Sequence, residues 1–390
     1  MKFSDIAKAI GIESYPEAMD NYYNPGDKTP ACDLAVIESL QQDYNMFGDY
    51  YDLVKEYGQK LNADENRSAW VRTAVAFCRA GDFAQAKSVP VPTADGTMIT
   101  SMLPFYILAA QIPDSLAEYR RRGFAEEELE DHYKVYRDSL GIVENHTGMP
   151  GTNSLYYGWD THFIKAQIFE IGGLQYEMRK LPNQAAYLKE KATGKVIPVM
   201  AAGTLYQDGT QILGSAGYTD PEGSFTCQFR EDGENYYGHG VWDAVVSTRE
   251  QTFPKVAWDC VLRPGDPCLG MHIPAKTDIS QAAMNASMDA AKALVAERYP
   301  EFSGRLVYCS SWLLDPQLGK LLGESAKITA FQNRYTRHPV KSAGMHVFGF
   351  VFPKRYGTFE DLPESSSLMR KLKKLYLDGG HIYAYAGVIF

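Results

Sequence analysis

Six cysteines in 390 residues, none in a Cys-x-x-Cys pair, leave nothing from which to build a zinc site or a disulfide framework. Cys32, Cys78, Cys227, Cys260, Cys268 and Cys309 are scattered, which suits small buried hydrophobes, and no bound metal is expected. Long apolar runs are also missing: none approaches the ~18–20 residues that span a bilayer. The first twenty residues, MKFSDIAKAIGIESYPEAMD, carry early acids and no continuous apolar stretch, so they read as neither a signal nor a transit peptide. A soluble, cytoplasmic protein with no membrane partner is the expectation. Basic residues are outnumbered too, 39 Lys+Arg against 48 Asp+Glu. A net charge of −9 disfavours nucleic acid as a partner.

What is present is ordinary globular material, 45% apolar and 22% charged, enough to bury a core in each of two domains. The charge is uneven. Residues 268–390 carry 15 Lys+Arg and 10 Asp+Glu, a net of +5 within a chain of −9. That asymmetry favours an anionic ligand in the C-terminal segment, or is ordinary surface variation.

Residues 1–165 read as helical. From Asp33 to Gly81 apolar residues recur at three- and four-residue spacing, and the pattern resumes at 102–112 and 125–140. After Gly151 the texture changes. Short strand-like pieces at 174–178, 196–200, 204–206 and 225–229 are separated by turn residues, with Asp-Gly signals in YQDGTQI and FREDGENYY. From Cys268 strands and helices alternate: strand 268–274, helix 279–299, strand 305–314, helix 316–335, strand 345–352, helix 367–377, strand 381–390. Such alternation implies crossovers and at least partly parallel pairing, an α+β or α/β arrangement.

Two helix starts are marked, Asp278 with Gln281 three residues on, and Asp315 followed by Pro316. Each follows a strand, at the sheet edge where open α/β folds bind ligands, and free amides at a helix start attract anions. Plain helix capping explains the same residues without any anion. In CLGMHIP, Gly270 and His272 share one face of the strand, and a glycine beside a histidine leaves room for a ligand. His272 has the near-neutral titration a general base needs, and is equally readable as a hydrogen-bonded core histidine. Cys309, Ser310 and Ser311 form a polar patch in an otherwise apolar strand. An aromatic and polar group, His239, Trp242 and Asp243, reads as an acceptor pocket or as a packed turn.

The stretches LGMHIP and CSSWLLDPQLGKLLGESAKITAFQNRY resemble a bacterial family of two-domain acyltransferase-like proteins. Their strand ending in HIP matches residues 272–274, their SWLL-Asp-Pro segment matches 309–316, and FEIGGLQYEM (169–178) resembles the strand that opens the domain. The resemblance implies a helical N-terminal domain, 1–165, followed by a GNAT-like mixed β-sheet flanked by helices, 166–390. It implies acyl-CoA as substrate and transfer of the acyl group to an amine of a small-molecule acceptor of unknown identity, with a homodimer as one expected assembly. Carried onto this chain, it nominates His272, Cys309, Ser311 and Tyr335 as catalytic residues. It nominates Ile273, Pro274, Lys276, Thr277 and Asp278 as the cofactor-binding segment. Lys327, Arg334, Arg337 and Lys341 form a basic stretch that reads as positive charge for phosphates or as a solvated face. The usual Gly-rich pyrophosphate loop is replaced by Ala275-Lys276-Thr277-Asp278. Two other readings therefore stand beside the transferase. One is a non-catalytic ligand-binding or regulatory protein that kept the fold. The other is a thiol hydrolase pairing Cys309 with His272 or His346.

Overall fold

Asp33 and Asp64 start helices by lending their carboxylates to backbone amides. Asp33 accepts from Ala35 N at 3.0 Å, and Asp64 from Arg67 N at 2.9 Å. The helices that result, Leu34–Tyr44 and Glu65–Ala80, flank Tyr51–Ala63 and are followed by Met98–Ala109, Ile112–Arg121, Glu126–Thr147 and Ser154–Ile164. Gly148, at φ 81°, gives Glu126–Thr147 its left-handed end. Trp70 is fully buried and stacks on Phe3 with ring centroids 5.2 Å apart. The computed structural model describes all residues except Met1, 82–84, 93–94, 219–220, Lys276, Pro353, Arg355 and Phe390. Within the described residues the chain divides into two compact units, 1–170 and 171–390, and no helix is long and apolar enough to cross a membrane.

The second unit is built on two sheets. In the first, strands Leu174–Lys180, Pro267–His272, Val307–Ser311, Tyr385–Ile389 and Thr336–Pro339 stand side by side in that order. Among these five strands Pro267–His272 and Val307–Ser311 pair in parallel and the other neighbours antiparallel. A parallel pair needs a long crossover, and the helix Gln281–Arg298 lies within it. The second sheet is antiparallel, in the order Gln251–Pro254, Asn235–Trp242, Val196–Met200, Ala185–Glu190, Trp258–Leu262. One apolar core joins the two, with Tyr187, Met200 and Leu205 beside Tyr308, Ala386 and Val388.

Several expected elements are corrected. Residues 345–352 are not a strand but contain the helix His346–Val351. The run is short and apolar, a pattern that does not separate strand from helix. Phe348 settles it by stacking on Phe352 at 5.2 Å and meeting Tyr376 at 4.7 Å. The single helix expected over 316–335 is two, Pro316–Leu322 and Lys327–Gln332, because Gly323 takes φ 93° between them. Residues 333–335, its last expected part, form a turn ahead of the strand Thr336–Pro339. The first helix start is also reassigned. Ser280, not Asp278, caps Gln281–Arg298, and Asp278 instead accepts from Ser280 N at 3.0 Å and its hydroxyl at 2.9 Å.

Asp315 caps Pro316–Leu322 as its sequence suggests, accepting from Gln317 N at 2.9 Å, and also accepts from Tyr383 N at 2.6 Å. It is 1% exposed, and burial pushes its carboxyl up to about 6 against the pull of these bonds. Folding therefore favours the protonated acid. The stabilisation is complete below the ordinary carboxylate value and is lost as pH rises to about 6. Relative to Asp315→Asn, the unaltered chain should lose about 3 kcal/mol of unfolding free energy between pH ~3.5 and ~7. Denaturant titrations of both proteins across that range measure it.

Candidate functional site

The parallel ladder pairs Leu269 with Val307, Gly270 with Tyr308 and Met271 with Cys309, and then stops. One residue further on, His272 pairs with Gln175 and Ser310 with Ala386, each turned to its other neighbour. Beside this fork lies a cavity of about 270 Å³, lined by Arg179, Gln184, Gly270, His272, Tyr308 and Ser310 among others. Alternation along the strands puts Gly270 and His272 on that face. Gly270 pairs with Glu177 as well as with Tyr308, so these two stand on the same face.

The charged groups on this face form a chain of contacts. His272 Nε2 lies 3.0 Å from Glu177 Oε2, and Arg179 Nη1 donates to the same oxygen at 3.1 Å. The Arg179 guanidinium sits 5.5 Å from the centroid of the Tyr308 ring. The Glu177 side chain is 8% exposed and that of His272 26%, so the carboxylate is sheltered while the imidazole reaches the cavity. A carboxylate facing one ring nitrogen fixes the tautomer. Nε2 carries the proton toward Glu177, and Nδ1 is then the basic nitrogen. Glu177 also stabilises the imidazolium that forms when the ring takes a second proton. Gly270 keeps this arrangement open, because a Cβ there would meet Arg179 Cδ at 2.6 Å.

The other nominated catalytic residues lie elsewhere. Cys309 and Met271 occupy the opposite face of the sheet. The Tyr335 hydroxyl lies on that side, 3.5 Å from Met271 Sδ. Cys309 is 1% exposed, and burial pushes its thiol up to about 12. Burial likewise drives Tyr335 well above its ordinary value. Neither side chain lines the cavity, so the sheet separates Cys309 from His272, contrary to the pairing a thiol hydrolase needs. Native protein should leave Cys309 unlabelled by iodoacetamide, as read by peptide mass spectrometry, because the reactive thiolate is suppressed and the site is closed. Ser311 turns its hydroxyl to Leu313 N at 3.2 Å and caps the turn Trp312–Leu314.

Ile273, Pro274, Thr277 and Asp278 lie in the connection from His272 to Gln281–Arg298. Lys276 lies outside the described residues. Thr277 ties the connection down by donating to Gly173 O and Pro274 O, both at 2.8 Å. Lys327 reaches Asp278 at 3.5 Å and Arg334 donates to Asn285 at 2.7 Å, so both flank this helix start. Arg337 instead donates to Leu314 O at 3.3 Å. In the other sheet, His239 Nδ1 contacts Ser247 O at 2.9 Å, and Asp243 and Ala244 take φ 50° and 67° in a hairpin turn.

Glu177, Arg179 and Gln184 are the site residues that sequence reasoning did not select. The signal for Glu177 and Arg179 was present in LQYEMRK, where two charged residues two apart share one face of a mostly buried strand; Gln184 lies outside that strand and carried none.

Residues 168–389 match the family described as GNAT-like C-terminal domain. Among solved structures, an acyltransferase in complex with decanoyl-CoA superposes with a TM-score of 0.67 at 16% identity, covering 100% of this chain and 99% of that one. An acyltransferase in complex with decanoyl-CoA and teicoplanin gives 0.65 at 16% identity, and an acyltransferase mutant in complex with octanoyl-CoA gives 0.64 at 16%, with the same coverage. No curated protein matches the chain.

Proposed function

We propose that this chain, which belongs to the GNAT-like C-terminal domain family, is an acyl-CoA-dependent acyltransferase that acylates an amine. The observation that carries the reading is the His272–Glu177 pair at the fork of the parallel strands, facing a cavity. An acceptor amine reaches that cavity and gives a proton to His272 as its nitrogen bonds to the thioester carbon. The C–S bond then breaks, and the imidazolium returns the proton to the departing thiolate. A positioned base of this kind contributes about 10²- to 10⁴-fold. Medium acyl chains are the proposed donors, supported by the octanoyl- and decanoyl-CoA held by the structural neighbours. Thr277, Lys327 and Arg334 flank the path proposed for the coenzyme A phosphates.

A cytoplasmic setting is part of the proposal, supported by six thiols in no disulfide. So are a bacterial source, a small-molecule acceptor, no nucleic-acid or membrane partner, and a homodimer as one assembly to be tested. One observation favours the second reading, a binding protein without catalysis. The Asp278 carboxylate and the Ser280 cap stand where a Gly-rich loop would present bare amides to a pyrophosphate. The two readings part in a thiol-release assay with octanoyl-CoA and a primary amine. A transferase frees coenzyme A faster when the amine is added and yields the amide. A binding protein releases none above the blank.

A further inference from the structure

We propose that the acceptor carries a carboxylate near its amine and that Arg179 holds it, an inference that rests on the acyltransferase reading. Arg179 belongs to the strand Leu174–Lys180 and lines the same cavity as His272. Its stem runs over Gly270, and its guanidinium stands 5.5 Å from the Tyr308 ring centroid. Nη1 donates to Glu177 Oε2 at 3.1 Å, and Nε lies 3.5 Å from Lys180 O. Nη2 has no hydrogen-bond partner among the described residues and stays open to solvent, on a side chain that is 29% exposed. A guanidinium carries five N–H donors, so the bond to Glu177 leaves Nη2 able to hold another acceptor.

The charge of the cavity decides what that acceptor is. Among the described residues lining it, Arg179 bears the one permanent charge. Glu177, which could cancel that charge, is sheltered from solvent and shared with His272. When the imidazole takes the amine's proton, a second positive charge forms beside the first. A guanidinium with a free end in such a place prefers a carboxylate to a neutral oxygen. The thioester does not bring an anion here. Its reacting end is uncharged, and the phosphates of coenzyme A lie beyond the whole pantetheine arm. The acceptor therefore supplies it. His272 and Arg179 contact the same Glu177 oxygen, so base and guanidinium stand within the length of one small molecule. A cavity of about 270 Å³ suits a molecule of that size. The acceptor class is a compact amino acid, with its amine toward His272 and its carboxylate on Arg179 Nη2.

The test uses the full chain with octanoyl-CoA as donor and two probe amines of equal length, γ-aminobutyrate and its primary amide. The unaltered chain should show a kcat/KM about 10- to 100-fold higher for the acid, the preference expected of one hydrogen bond to a charged group. Arg179→Gln should bring the two amines within about threefold of each other while the Kd for octanoyl-CoA stays unchanged. A merely structural role would slow both amines alike and leave their ratio standing. Arg179→Lys keeps the charge without the fork and should retain a preference of about 3- to 10-fold. Equal rates for the two amines with the unaltered chain would overturn the proposal, as would a preference that survives in Arg179→Gln. A weakened octanoyl-CoA Kd in Arg179→Gln with the ratio intact would overturn it by giving Arg179 to the cofactor. Binding of octanoyl-CoA by the unaltered chain with neither probe acylated would end the amino-acid class. No binding of octanoyl-CoA would bring down the acyltransferase reading itself.

Discussion

His272→Ala should lower kcat/KM for amine acylation by about 10²- to 10⁴-fold while leaving octanoyl-CoA affinity within about threefold. The imidazole is asked to remove a proton during attack and not to hold the thioester, so the loss belongs in kcat. Glu177→Gln should have a smaller effect, about 10- to 100-fold, because the amide still meets Nε2 but no longer stabilises the imidazolium. Steady-state rates beside calorimetric Kd values for both variants separate the two effects. Equal losses in Kd and rate would make His272 a binding residue.

Gly270→Val is expected to have the second large effect. Position 270 lies in the middle of a strand with ordinary backbone angles, and valine suits such a position. The obstacle is on the cavity side, where a Cβ meets Arg179 Cδ at 2.6 Å and Glu177 Oε2 at 3.4 Å. The extra carbons displace Arg179 and fill the space beside His272. Overpacking of this kind costs about 1–3 kcal/mol of stability, which leaves the protein folded. Transfer should drop at least 100-fold with the far-ultraviolet circular dichroism unchanged. Retained activity would place the reaction away from this cavity.

The sequence made part of this site readable. Strict alternation in CLGMHIP put Gly270 and His272 on one face, and the structure places both on the cavity. The same alternation sets Cys309 against Ser310, so the polar patch at 309–311 was legible as two faces and not one. Glu177 was harder to find because its partner lies 95 residues away. That contact depends on the antiparallel register of Leu174–Lys180 against Pro267–His272, which no local pattern encodes. The strand Thr336–Pro339 escaped notice because it has four residues and ends in a proline, a composition tolerated only at a sheet edge, where it is found. The capping role passed from Asp278 to Ser280 because both are good caps two residues apart, and tertiary context chose between them.

Calorimetric titration of the full chain with octanoyl-CoA, with adenosine diphosphate as control, tests the central claim most directly. One-to-one binding in the micromolar range is expected for the thioester, retained in His272→Ala and lost in Gly270→Val. The absence of binding to octanoyl-CoA by the unaltered chain would contradict it, and would leave a GNAT-like domain whose cavity serves another ligand.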